Sequence, residues 1–404
     1  MDEKTVIDVL KKWNVWEKKI DAGIKRKKYI DKIYSFIERK EIIALKGIRR
    51  SGKSTIINQL IKELIKNKVD KKQILYLNLE DYNFVNELNL ELFEKALKAY
   101  LKYSKNKKKT YFFIDEIQQV KNWEKWIRTK YDLNEKIKFI ITGSSASLLS
   151  KELSTLLTGR NISFIIRPLS FEEFQDFSKN KSLEEYLKFG GFPEVALEEN
   201  QEKKNVILQQ YFEDIIHKDI IDRYDIRNSK QLIQIARYLV SVSGSKVSIN
   251  KLSKVFGISK DTISNYINYL IDAYLLQEVS FFSFSAKVKH DVTKLPKLYA
   301  LDNGLVNAVN IKYSKNQGQM FENTVFLKLA EEYDEINYWD CLGSEVDFIA
   351  GNKAINVTSS DKIHERENKG LEDFHKKHKK FVKLLITPTV KKEKMIPILD
   401  FLKS

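Results

Sequence analysis

Eight consecutive residues, Gly47-Ile48-Arg49-Arg50-Ser51-Gly52-Lys53-Ser54, have the types and spacing of a phosphate-binding loop, G-x-x-x-x-G-K-[ST]. Gly47 and Gly52 let the backbone turn tightly and approach an anion with no Cβ in the way. The N–H groups of Ile48, Arg49, Arg50 and Ser51, and of the helix start at Thr55, are expected to point at phosphate. Lys53 is placed to reach the β- and γ-phosphates of a nucleoside triphosphate, and the Ser54 hydroxyl to ligate Mg2+.

Two further stretches add chemistry. Tyr111-Phe112-Phe113-Ile114 is an apolar run that ends in Asp115-Glu116. A buried parallel strand with acids at its C-terminal end puts carboxylates where open α/β sheets bind ligands. Asp115 is expected to hold Mg2+ directly or through water, and Glu116 to polarise the attacking water as general base. Lys138-Phe139-Ile140-Ile141-Thr142-Gly143-Ser144-Ser145 is another apolar strand that ends in small polar residues. Thr142 is counted with the nucleotide-binding residues. For any one of these hydroxyls a turn or helix cap is the competing reading. Leu157-Thr158-Gly159-Arg160 makes Arg160 a candidate arginine finger, acting from this or a neighbouring subunit, against a surface or capping arginine.

The elements that must position these residues follow from periodicity. Glu41–Lys46 reads as a strand, and apolar positions 56, 57, 60, 61, 64 and 65 repeat at helical spacing after the loop. Strands at 41–46, 73–79, 111–115, 138–142 and 162–166, alternating with helices, predict a parallel sheet covered on both faces over residues 41–167. Residues 1–40 read as a basic helical segment anchored by Trp13, Val15 and Trp16. Trp123 and Trp126 read as packing anchors. Residues 168–235 read as a helical lid broken at Phe189-Gly190-Gly191-Phe192-Pro193.

Residues 236–285 read as a winged helix, with a helix from Ile249, a turn at Gly257-Ile258-Ser259 and a would-be recognition helix from Lys260 to Tyr274. That helix offers Lys260, Thr262, Asn265 and Asn268 outward, has no arginine to read guanine, and carries Asp261 and Asp272, which repel phosphate. DNA binding and a structural or protein-binding role both stay open. Residues 286–404 return to α/β, with helix 318–333 carrying Glu322 and strands near 335–340, 345–350, 353–358 and 381–387. His375 and His378 read as part of a solvated basic face rather than a metal site.

At 404 residues the chain predicts two to four domains. Its 43% apolar content is that of a folded protein, and no window of uncharged apolar residues has membrane-spanning length. Cys341 is the single cysteine, which excludes an intrachain disulfide and a cysteine-built zinc site. The N-terminus lacks the plan of a signal peptide, and together these features predict a cytoplasmic protein. The net charge of +16 permits nucleic-acid binding without establishing it. Basic clusters such as Lys25-Arg26-Lys27-Lys28 read as solvated faces.

Taken together, the motifs resemble archaeal and bacterial AAA-type ATPases with a C-terminal restriction-nuclease-like domain. The specific part of the resemblance is Pro168-Leu169-Ser170-Phe171-Glu172-Glu173-Phe174, Gly190-Gly191-Phe192-Pro193-Glu194 and Leu301-Asp302-Asn303-Gly304-Leu305, in that order. It implies an α/β P-loop NTPase with an AAA-like parallel sheet, a helical lid, a winged helix and a PD-(D/E)xK-type α/β domain. It also implies ATP and Mg2+ as ligands and Arg160 as the finger. The nuclease family's metal site would map to Glu322, Asp347 and an E-x-K. Here Asn356 replaces the acid and Thr358 the lysine, so the domain is expected to keep the fold without cutting. Lys362 is a candidate to take over the lysine's role. The expectation is an ATP-hydrolysing switch whose partner is DNA, a protein client or a second copy of the chain. An ATP-regulated nuclease and a non-enzymatic ATP- or DNA-binding platform are the alternatives.

Overall fold

The computed structural model describes residues 1–133, 135–144, 157–285, 294–310, 317–361, 365–392 and 394–404. Ser145 and Lys362 lie outside the described residues. The chain divides into two compact units, Met1–Arg167 and Pro168–Ser404. Among the described residues no helix is long and apolar enough to cross a membrane.

The first unit is built on five parallel strands: β1 (Ile42–Lys46), β2 (Ile74–Asn78), β3 (Thr110–Asp115), β4 (Ile137–Gly143) and β5 (Asn161–Ile165). Their order is β2-β3-β4-β1-β5. The central strands are apolar at successive positions because both faces are buried. Phe112, Ile114 and Ile141 face one core, shared with α1 (Glu3–Trp13), α4 (Leu90–Ser104) and α5 (Trp123–Asp132). Trp123 and Trp126 both pack there. Leu45, Phe113 and Ile140 face the other core, shared with α2 (Lys27–Tyr34) and α3 (Lys53–Lys66).

The exposed edge of β2 is closed by the segment after α1. The Asn14 amide accepts from the N–H of Tyr76 at 2.7 Å and donates to the carbonyl of Tyr76 at 2.8 Å, which stands in for a neighbouring strand. Trp16 Nε1 donates to the carbonyl of Ile74 at 2.8 Å, one step along the same edge.

The second unit opens with the helices Phe171–Phe177, Leu183–Phe189, Pro193–Leu197 and Gln201–Asp214. The first is started by a capping box between Ser170 and Glu173. After the helix Ser229–Ser241 come Ile249–Phe256, a left-handed Gly257 and Lys260–Asp272, the last capped by Ser259. A seven-stranded mixed sheet follows, built from β6 (Leu276–Phe281), β7 (Lys297–Ala300), β8 (Ile336–Cys341), β9 (Ser344–Ala350), β10 (Lys353–Val357), β11 (Val382–Thr387) and β12 (Met395–Pro397). Their order is β12-β11-β10-β9-β8-β6-β7. β6 pairs antiparallel with β7 and parallel with β8, so one continuous sheet runs across residue 285.

The three motifs specific to the resemblance meet in this unit. Asp302 caps the helix Asn303–Val309 by accepting from Leu305 N–H at 3.3 Å, and accepts from Gly191 N–H at 2.7 Å. Gly191 O in turn accepts from Leu169 N–H at 2.6 Å. A Cβ on Gly191 would lie 2.2 Å from the Leu169 carbonyl oxygen, so the close approach demands glycine. These motifs form a packed junction.

His375 and His378 depart from the expected solvated face. His378 packs its ring against Phe282, Phe374 and Phe381, and His375 Nδ1 lies 3.1 Å from the Phe381 carbonyl. Phe374 and Phe381 lie within four residues of His378, whereas Phe282, directly after β6, reaches it only through the sheet.

Candidate active site

The loop between β1 and α3 turns on two glycines. Gly47 has φ 146°, and a Cβ there would lie 2.1 Å from the Ile166 carbonyl oxygen. Gly52 has φ 94° and precedes the first helical residue. The Lys53 ammonium sits inside the loop and donates to the carbonyls of Gly47 at 3.0 Å and Ile48 at 3.2 Å. Ile48 is a core residue, and its carbonyl also takes the Ser51 N–H. Arg49 pairs with Glu80 at 3.3 Å, and Arg50 is exposed with φ 69°. Ser54 and Thr55 are exposed in the first turn of the helix.

The loop is propped from behind by Arg26, which is 2% exposed. Its guanidinium donates to the carbonyls of Ser51 and Arg167, both at 3.0 Å, and lies over the Tyr29 ring. The expectation that 25–28 form a solvated cluster therefore fails at Arg26. A run of basic residues hides the one that is buried. The available signal is Gln59 on α3, which binds the segment ahead of Arg26 through the carbonyls of Ala22 and Ile24.

Strand order brings the acids to the loop. β4 lies between β1 and β3, so its C-terminal end separates the loop from Asp115 and Glu116. Asp115 is 3% exposed. Tyr76 donates to its Oδ2 at 2.8 Å, and Thr142 donates a short hydrogen bond to its Oδ1. Burial pushes the Asp115 carboxyl above its ordinary range and the Glu116 charge adds to this. Hydrogen bonds from Thr142, Ser54 and Tyr76 pull the other way.

Glu116 takes φ 54°, uncommon for a side chain of its size, and its N–H donates to Thr142 Oγ1 at 3.0 Å. Gln118 Nε2 donates to the Glu116 carboxylate and lies 3.3 Å from Ser144 Oγ. Gln118 was not legible as a site residue; its signal is only its place two residues beyond the acid. Thr142 is fully buried, and its hydroxyl bonds both to Asp115 and to Glu116. It braces the acidic pair, a different task from the nucleotide contact expected of it.

A cavity of about 270 Å³ lies beside these groups, lined by Ser54, Asn58 and Asp115 and by Lys18, Lys19 and Asp21 from the segment after α1. The residues fit a magnesium nucleotide on two observations. The buried Ser51 Oγ has no hydrogen-bond partner among the described residues. A hydroxyl and a carboxylate, Ser54 and Asp115, line this cavity together beside the helix N-terminus.

Arg160 is not brought to this site. Its carbonyl accepts the N–H of Ile42, at the start of β1, whereas the loop follows the end of β1. The strand's five residues separate the two by about 16 Å. Arg160 Nε instead donates to Asp132 at 3.0 Å. The reading of Arg160 as a finger acting on its own loop is therefore corrected, because the two lie at opposite ends of the sheet.

Residues 39–175 match the AAA domain family AAA_14, and residues 180–316 match a domain of unknown function, DUF8612. Uncharacterized protein MJ1544 of Methanocaldococcus jannaschii is 36% identical over 338 residues, covering 76% of this chain and 72% of that protein. An uncharacterized protein of Haemophilus influenzae is 32% identical over 343 residues, covering 81% and 84%. The Walker-type ATPase PABY2304 of Pyrococcus abyssi superposes with a TM-score of 0.49 at 15% identity, covering 71% of this chain and 96% of that one. At that score the likeness carries no argument. The sequence matches do: this chain belongs to one family with MJ1544 and the Haemophilus protein, and its residues 39–175 carry an AAA domain.

Proposed function

We propose that the first unit binds ATP with Mg2+ and hydrolyses it to ADP and phosphate. The observation that carries this reading is the hydrogen-bonded set Asp115–Thr142–Glu116 beside Ser54. A phosphate-binding turn alone has no use for a second, separately oriented carboxylate. A bound Mg2+ would neutralise charge between the β- and γ-phosphates. Ser54 and Asp115 are the residues to hold it. Lys53 leaves the loop carbonyls for phosphate oxygens, and the Ser51 hydroxyl and the loop N–H groups complete the cradle. Glu116, oriented by Gln118, takes a proton from the attacking water.

Arg160 lies away from its own loop and is paired with an exposed aspartate. It therefore acts, on this reading, on the site of a neighbouring copy. Turnover works as a conformational switch for the second unit. There, Ile249–Phe256, Lys260–Asp272 and the β6–β7 hairpin serve as a winged helix, and the rest of the mixed sheet as a nuclease-like fold.

The test of nucleotide recognition is equilibrium binding of a fluorescent ATP analogue. Wild type binds in Mg2+ and more weakly in EDTA, and Lys53→Ala loses most of the affinity. Equal binding by both proteins contradicts the reading.

A further inference from the structure

The second unit gathers a charge cluster around one buried lysine, and ATP hydrolysis does not use it. Lys297 on β7 is 4% exposed. Its ammonium lies 2.8 Å from Glu345, 3.4 Å from Glu322 and 3.7 Å from Asp347. Glu345 and Asp347 are two apart on β9 and so share a face, and Glu322 comes from the helix Gln317–Glu332. Tyr299, on the same face of β7 as Lys297, donates to the same Glu322 oxygen at 2.5 Å. Burial opposes the lysine's charge, but Glu322, Asp347 and Glu345 outweigh it and hold the ammonium well above the usual lysine range.

The resemblance places a divalent metal at Glu322 and Asp347, and with the Lys297 ammonium among the carboxylates the site does not fit one. Asp347 Oδ2 is committed to the N–H of Val357 at 2.9 Å. Asn356, at the position of the missing acid, spends its amide on backbone: it accepts from Asp347 N–H at 3.0 Å and donates to the carbonyls of Glu345 and Glu367. The Thr358 hydroxyl closes a local turn with Ser360. Glu345 is also shared with Lys246 at 3.5 Å. Among the described residues, no group of three or more His, Cys, Asp or Glu is arranged to hold a metal ion.

We infer that the Lys297 ammonium is the resident cation of this site, standing where the nuclease-like fold would carry a divalent ion and latching β7, β9 and the helix Gln317–Glu332 together. Three carboxyl side chains from two elements converge on one buried donor from a third, and removing that donor leaves half-buried carboxylates crowded together, with Lys246 beside Glu345 alone. No sequence pattern points to it, because Lys297 lies 50 residues from Asp347 and outside the mapped motif.

The test is Mn2+ titration of the nucleotide-free full chain, read by the electron paramagnetic resonance of free Mn2+. Wild type and Asp347→Asn are expected to bind Mn2+ alike. Lys297→Met is expected to gain a Mn2+ site and to lose it again when combined with Asp347→Asn. Mn2+ binding by wild type that Asp347→Asn removes overturns the proposal, and so does a folded Lys297→Met that gains no site. If Lys297→Met does not fold, the wild-type comparison still decides, and Lys297→Gln is read in the same way.

Discussion

The Thr142 hydroxyl donates to Asp115 and at 3.0 Å accepts the N–H of Glu116, so one buried side chain on β4 fixes both acids at the end of β3. Thr142→Val keeps the shape and removes both bonds. A buried donor or acceptor left without a partner costs about 1–3 kcal/mol. The variant is expected to unfold at lower denaturant by that amount, and to lose at least about tenfold in kcat at saturating ATP while its ATP affinity changes less. Denaturant unfolding and steady-state hydrolysis check the two parts. An unchanged kcat would rule out this bracing role for Thr142.

Arg160 and Glu116 are expected to complement each other between copies. Arg160→Ala keeps an intact nucleotide site, and Glu116→Gln keeps an intact arginine. If Arg160 serves a neighbouring copy, each variant is inactive alone and a mixture of the two hydrolyses ATP. An arginine finger is worth about 10³–10⁵ in rate, so the recovery is readily seen. A fully active Arg160→Ala protein, or an inactive mixture of folded variants, counts against the assignment.

Much of the first unit was legible because its signals are local. The loop, its flanking strand and the helix after it occupy one continuous stretch, and the acids of β3 close an unbroken apolar run. All five strands of the sheet fall within a residue or so of the periodicity reading. What escaped depends on long-range pairing. Arg26 reaches Ser51 and Arg167 only after the fold brings their carbonyls together. β7 and β12, four and three residues long, are too short for a period of two to stand out. Arg160 was legible as a conspicuous arginine, but its end of the sheet follows from the direction of β5 beside β1.

Asp302 gives a pH test of the second unit. It is buried with no positive partner among the described residues, and burial pushes its carboxyl up to about 7, against the backbone N–H groups of Gly191, Leu305 and Gly304. Its ordinary value, 3.8, applies in the unfolded chain. Above that value the unfolded chain ionises while the folded one resists. Stability contributed by this group is therefore fully present below about pH 4, and is lost as pH rises to about 7. A tenfold difference in acidity between the folded and unfolded chain is worth about 1.4 kcal/mol. Asp302→Asn is expected to flatten this part of the pH–stability curve, measured by denaturant unfolding between pH 4 and 7. A variant with the wild-type slope contradicts it.

The central claim is that Glu116 hydrolyses ATP that Lys53 and Ser54 hold. Single-turnover hydrolysis of radiolabelled ATP by wild type and Glu116→Gln, with bound ATP measured in the same samples, tests it most directly. Equal binding is predicted, together with a loss of about 10²-fold or more in the hydrolysis rate of the variant. Hydrolysis by Glu116→Gln at the wild-type rate would contradict it.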